Sequence, residues 1–306
     1  MPLENKKAVV IAGFGTSHPE ALSGLLNILQ TARTAYPQIP VRLAFTSNTI
    51  RQIWASRAEQ PQFWADNPQL QKDWLLNIKT PLATLADMQN DGFRSLVLQP
   101  THIFNGEEYL ELQSLVQALD AIRPIKEKWK PFYNLALGRP LLGRNGPHPP
   151  YMQDIQETAQ LLKDDVQLAR TENAALVYMG HGNKYFCTGA YWDLMQALQS
   201  AYPDITLCIC CASGTPDVDF VLHRLQANNI SRALLKPLMI VAGDHAKNDM
   251  AGADQDSLQS RLQAAGIQCR AILRGLGQEQ PVADKLVRHI QDAAAENGIQ
   301  LVNPEG

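Results

Sequence analysis

Apolar positions along the chain follow two alternating periods. Short runs rich in β-branched and aliphatic residues occur at Ala8–Ala12, Val41–Phe45, Ser95–Gln99, Phe132–Leu137, Ala175–Met179, Thr206–Cys211, Ala233–Met239 and Cys269–Leu273. Between most of these the apolar positions recur at helical spacing, as in Glu20–Tyr36, Gly106–Ile122, Tyr151–Glu172, Tyr191–Tyr202, Pro216–Asn228 and Gln280–Asn297. The first pattern predicts strands and the second predicts amphipathic helices. Their alternation predicts an α/β fold, with parallel sheets covered by helices on both faces and ligands at the carboxyl ends of the strands.

The densest punctuation is Gly138-Arg-Pro-Leu-Leu-Gly-Arg-Asn-Gly-Pro-His-Pro-Pro150, near the middle of the chain. Glycine and proline at that density mark a crossover or linker. The sequence before it echoes the sequence after it. Val9-Val-Ile-Ala-Gly13-Phe14-Gly15 matches Leu176-Val-Tyr-Met-Gly180-His181-Gly182, and Pro100 stands before Gly106 as Pro237 stands before Gly243. Both matches fall at predicted strand ends. The pattern predicts two Rossmann-like lobes related by an internal repeat, residues 1–143 and 144–306, with a ligand cleft between them.

Composition narrows the setting. Of the 306 residues, 45% are apolar and 19% charged, as in ordinary globular proteins. The net charge of −3 gives no reason to expect nucleic acid or an anionic membrane as partner. No stretch approaches the roughly 18 apolar residues of a membrane span, and the first apolar run is too short for a signal segment. Three of the five cysteines crowd at 208, 210 and 211, which does not suit a disulfide framework. These features predict a cytoplasmic protein with reduced thiols.

The chemistry sits where the halves differ. The first half carries Phe14 and Glu108, and the second carries His181 and His245 at the matching places. Both histidines follow an apolar strand and are flanked by small residues that let the backbone approach a ligand. Imidazole ligates cobalt, iron and nickel and titrates near neutral pH, so a converging pair predicts a metal site. For either histidine alone, a polar strand-end turn is an equal reading. Asp244 or Asp249 is a candidate to accept a ring N–H of His245, with a solvated acidic turn as the competing reading. Strand alternation puts Cys208 and Cys210 on one face as inert thiols, and Cys211 and Ser213 on the other, near the strand end. Gly13-Phe-Gly15-Thr16-Ser17 lacks the lysine of a Walker loop and the third glycine of a dinucleotide fingerprint, so neither ATP nor NAD is supported.

These residues bring a resemblance into view. The chain resembles the CbiK-type anaerobic cobaltochelatases, relatives in fold of the class II chelatases. The resemblance rests on Gly13-Phe-Gly-Thr-Ser17, Ala44-Phe-Thr-Ser47 with Ile50-Arg51, Gln99-Pro-Thr-His102 with Asn105-Gly-Glu-Glu-Tyr109, Gly138 with Pro140-Leu-Leu142, Met179-Gly-His-Gly182, Pro237 to Met250, and Gly275-Leu-Gly277. The block Leu238–Met250 is the most specific. The resemblance implies two lobes holding a tetrapyrrole and ATP-independent insertion of Co²⁺ into sirohydrochlorin. His181 and His245 then match the family's metal-binding and proton-accepting pair. The family's third ligand, a glutamate before Gly-aromatic-Pro, is replaced here by Ser213 in Ser213-Gly-Thr-Pro216. Ser213, or Cys211 on the same strand face, is the expected stand-in.

With such a ring as substrate, Phe14, Thr16, Gly182 and Met239 are candidate contacts to its face. Core packing is the competing account of Phe14 and Met239. Arg51, His102, Arg139, Arg144 and Lys184 are candidates to grip its carboxylates. The residues leave open iron or nickel as the metal, iron insertion for sirohaem, a carrier without turnover, and assembly as a homo-oligomer.

Overall fold

The computed structural model describes residues 5–145, 151–185 and 188–301. Its strands form two four-stranded sheets, parallel throughout. The first contains β1 (Lys6–Gly13), β2 (Val41–Phe45), β3 (Phe93–Pro100) and β4 (Asn134–Leu137) in the order β2-β1-β3-β4. The second contains β5 (Ala175–Gly182), β6 (Leu207–Ser213), β7 (Arg232–Leu238) and β8 (Gln268–Ala271) in the order β6-β5-β7-β8. Each strand coincides with a predicted apolar run to within a few residues.

The two orders are the same, which is the repeat expressed as topology. A parallel ladder needs a long return between strands, and helices supply it. Helices cover both faces, so the central strands are apolar on both sides. Ala8–Ala12 and Leu176–Met179 are essentially inaccessible to solvent. One core packs Val10, Ala12, Leu96 and Leu98 against Leu85 and Leu112. The other packs Val177, Met179, Cys208 and Cys210 against Val221 and Met250.

The chain divides into two compact units. Of the described residues, one unit holds those up to His102, Glu108–Pro140 and those from Ala283 on; the other holds Ile103–Glu107 and Leu141–Val282. Residues from Ala283 on lie mostly in the closing helix Gln280–Glu296. Arg139, just past β4, binds that helix by an ion pair to Asp292 at 2.7 Å, and its carbonyl oxygen lies 3.1 Å from His289 Nδ1. The crossover expected at Gly138–Pro150 is described only up to Asn145; residues 146–150 lie outside the described set.

Several helices were not legible in the apolar pattern. Between β2 and β3 lie Asn48–Ser56, Pro61–Asp66, Lys72–Leu76 and Pro81–Asn90, and between β7 and β8 lies Leu258–Ala264. Most run for only one to three turns, too few for an apolar stripe to recur recognisably along the sequence. Side-chain caps start three of them: Ser47 takes the Ile50 N–H, Thr80 the Ala83 N–H and Ser257 the Ser260 N–H. No helix among the described residues is long and apolar enough to cross a membrane.

Candidate metal and tetrapyrrole site

In a sheet of order β6-β5-β7-β8, the chain returns to opposite sides of β5. The carboxyl ends of β5 and β7 therefore form the switch point where such sheets bind ligands. His181 stands at the end of β5, and His245 follows β7 after a short turn. The structure brings the two imidazoles together, with ring centroids 4.6 Å apart and planes at 82°. With metal–nitrogen bonds of about 2.1 Å, two adjacent ligands of one cation place their ring centres about 4.5–5 Å apart, so the observed spacing suits a shared ion.

Both rings present the same nitrogen. His181 Nδ1 lies 3.1 Å from the Gly182 carbonyl oxygen. A carbonyl only accepts, so the neutral ring carries its hydrogen on Nδ1 and leaves the Nε2 lone pair available. His245 Nδ1 lies 2.5 Å from Asp249 Oδ2, and the carboxylate holds the same tautomer. Of the two aspartates flagged in the sequence, it is Asp249 that makes this contact. His245 leads into Ala246–Met250, a single turn of π-helix, which sets the carboxylate four residues on beneath the ring.

His181 reaches solvent, yet surrounding protein still strips enough water from its ring to lower its pKa below the ordinary value. The Gly182 carbonyl opposes that shift, the neighbouring His245 adds to it, and the carboxylates of Asp249 and Glu107 oppose it. Glu107, to which the sequence pattern gave no role, acts on His181 through its charge. Its one signal was the acidic pair after Gly106, in the block matching that of His245.

The glycines around His181 are set by close approach. A Cβ at Gly180 would fall 2.4 Å from the Tyr191 ring, which in turn meets Phe104 edge to face at 5.2 Å. Gly182 has φ +72°, and a Cβ there would lie 2.1 Å from the Ser213 carbonyl oxygen.

Cys211 pairs in register with Gly180, and Ser213 with Gly182. Strand alternation places those four positions on one face and His181 on the other. The two expected stand-ins for a third ligand are thus not brought beside the imidazole pair by the ladder. Among the described residues, no group of three or more His, Cys, Asp or Glu side chains is arranged to hold a metal ion. Cys208 and Cys210 are buried, and burial pushes both thiols up, Cys208 to about 12. They remain protonated and inert.

The remaining candidates are distributed as follows. Phe14 is 46% exposed at the end of β1, whereas Thr16 is buried and its Oγ1 takes the His18 N–H at 3.1 Å. Met239 is partly buried against the core that contains Met179 and Met250. His102 is buried at the end of β3, with Glu108 Oε2 3.3 Å from its Nε2. Arg51 binds Asn48, Arg139 is held by Asp292, and Lys184 lies over the Tyr185 ring at 5.0 Å. Arg144 is partly exposed.

Comparison with known proteins agrees with this architecture. The model of the family described as cobalt chelatase (CbiK) matches residues 7–295. The chain is 32% identical over 290 residues to the sirohydrochlorin cobaltochelatase of Salmonella typhimurium, covering 94% of this chain and 96% of that one. It is 28% identical over 290 residues to the sirohydrochlorin cobaltochelatase CbiKC of Nitratidesulfovibrio vulgaris, covering 95% and 91%. Among solved structures, Bacillus subtilis SirB with Fe³⁺ superposes with a TM-score of 0.58 at 12% identity, covering 96% of this chain and 98% of that one. At that identity the likeness is one of fold.

Proposed function

This chain belongs to the cobalt chelatase (CbiK) family, and from that premise we propose that it inserts Co²⁺ into sirohydrochlorin, with His181 and His245 as the working pair. The observation that carries the reading is the two imidazoles 4.6 Å apart, each with Nδ1 occupied and Nε2 left with its lone pair.

Insertion exchanges two pyrrole N–H protons for one divalent cation. A neutral imidazole is able to ligate the metal or to accept a proton, but not both at one nitrogen. Two of them resolve the conflict in sequence. As Co²⁺ passes from a histidine Nε2 to a ring nitrogen, the freed lone pair takes up the proton which that ring nitrogen sheds. The lowered pKa of His181 favours the neutral ligand form before transfer. Asp249 stabilises the imidazolium that forms at His245 when it takes its proton. No step calls for ATP or NAD. Phe14 offers an exposed aromatic face to the conjugated ring. The reduced state expected of the buried thiols Cys208 and Cys210 suits work in the cytoplasm.

The test is multiple-turnover insertion, followed by the absorption of the ring, in His181→Ala and His245→Ala with Co²⁺, Fe²⁺ and Ni²⁺. Each variant should lose at least about 100-fold in kcat with Co²⁺. Near wild-type turnover in both would end the proposal.

A further inference from the structure

The segment between β2 and β3 carries three of the five tryptophans, at 54, 64 and 74, and metal insertion at the imidazole pair uses none of them. The Arg57 guanidinium lies over two rings, 4.2 Å from the Trp54 centroid and 4.3 Å from that of Phe63. Among the described residues no carboxylate pairs with it. Its Nη2 instead donates to the Ser17 carbonyl at 2.7 Å. Trp54, fully buried, donates its Nε1–H to the Thr16 carbonyl at 2.8 Å. Trp64 closes the cluster by donating to the Arg57 carbonyl at 2.7 Å.

Two more donors act on the same loop. The Thr46 N–H binds the Gly13 carbonyl at 2.8 Å, and the Ser47 N–H binds the Phe14 carbonyl at 3.3 Å. Four carbonyls of the stretch 13–17 are therefore each held by a donor from the segment that begins at the end of β2. Gly15 adopts φ +95°, and a Cβ there would fall 2.7 Å from the Phe45 ring, so no side chain fits at that position. Thr16 is buried. What this fixed backbone offers to solvent is the Phe14 ring, 46% exposed. An aromatic face held out on a backbone fixed this fully is arranged for a flat partner.

We propose that Arg57 and Trp54 are positioning residues for substrate: by holding the Thr16 and Ser17 carbonyls they fix the loop that presents Phe14 to the tetrapyrrole. This rests on the reading that Phe14 meets the ring. Binding then costs little ordering of the loop, so losing either donor weakens ring capture more than the chemical step.

The test titrates metal-free sirohydrochlorin into wild type, Phe14→Ala, Arg57→Ala and the double variant, with Co²⁺ insertion kinetics alongside. Arg57→Ala should raise Kd and KM about tenfold, and lower kcat by less than about twofold. The double variant should bind no more weakly than Phe14→Ala, because both losses act through one side chain. Ring binding by Arg57→Ala equal to wild type overturns the proposal, as do losses that multiply in the double variant. An unaffected Phe14→Ala overturns it differently, by removing the reading beneath it. Should the thermal midpoint show that Arg57→Ala does not fold, Trp54→Phe takes its place. That variant keeps an aromatic ring and deletes the donor to Thr16, and the same rise in Kd is expected.

Discussion

His102 shows how a single buried side chain records pH. Burial pushes its pKa down to about 4. The Glu108 carboxylate 3.3 Å away works in the opposite sense, but neither ring nitrogen has a partner of hydrogen-bonding geometry, and burial prevails. In the unfolded chain the same ring binds its proton near the ordinary value of about 6.5. Its stabilising contribution is therefore complete above about pH 6.5 and declines as pH falls toward about 4, by up to roughly 3 kcal/mol. Urea unfolding of wild type and His102→Gln, compared from pH 7.5 to 4.5, measures this share. The wild-type curve should fall more steeply; parallel curves would show that the ring titrates normally. The imidazoles at 181 and 245 are different in kind. Their use depends on a tautomer, and each is set by one acceptor at Nδ1, the Gly182 carbonyl or the Asp249 carboxylate.

The strand ends of the second sheet bring the pair within reach. β5 finishes in Gly180-His181-Gly182, and the flanking glycines admit the Tyr191 ring on one side and the β6 backbone on the other. Gly182→Ala sets a Cβ against the Ser213 carbonyl at a positive φ that alanine resists. We expect a loss of at least about 2 kcal/mol in unfolding free energy and weaker Co²⁺ binding, because the strand end must shift. Wild-type stability together with unchanged Co²⁺ affinity would mean that the strand end yields without cost. The helices between β2 and β3 act similarly on the loop after β1. They are short, and Asn48–Ser56, which carries Trp54, is started by the Ser47 cap alone. A search for helical periodicity passes over them for that reason.

Taken as a whole, the protein repeats one strand order in two units and places both His181 and His245 in the second of them. Because both imidazoles belong to that single unit, a cation bound between them stabilises the folded chain by mass action. Free Co²⁺ at one hundred times its Kd should add about 2.7 kcal/mol. Scanning calorimetry should show a rise in the unfolding midpoint that vanishes in the His181→Ala/His245→Ala variant. A rise of equal size in that variant would place the binding elsewhere.

The alternation of apolar runs was enough to determine the eight strands and their parallel arrangement, because burial on both faces leaves a local signature in sequence, and the matched glycine and proline positions at strand ends marked the repeat. The residue types at the strand ends likewise marked His181 and His245. Other features come from contacts between residues far apart along the chain. These include the 4.6 Å approach of the two rings and the charge of Glu107 acting on His181. The register that sets Cys211 and Ser213 on the face away from His181 is of the same kind, as is the grouping of residues from Ala283 on with the first unit. Apolar periodicity reports which face of an element is buried. Register and side-chain direction decide what that face meets, and these are fixed only when the sheets assemble.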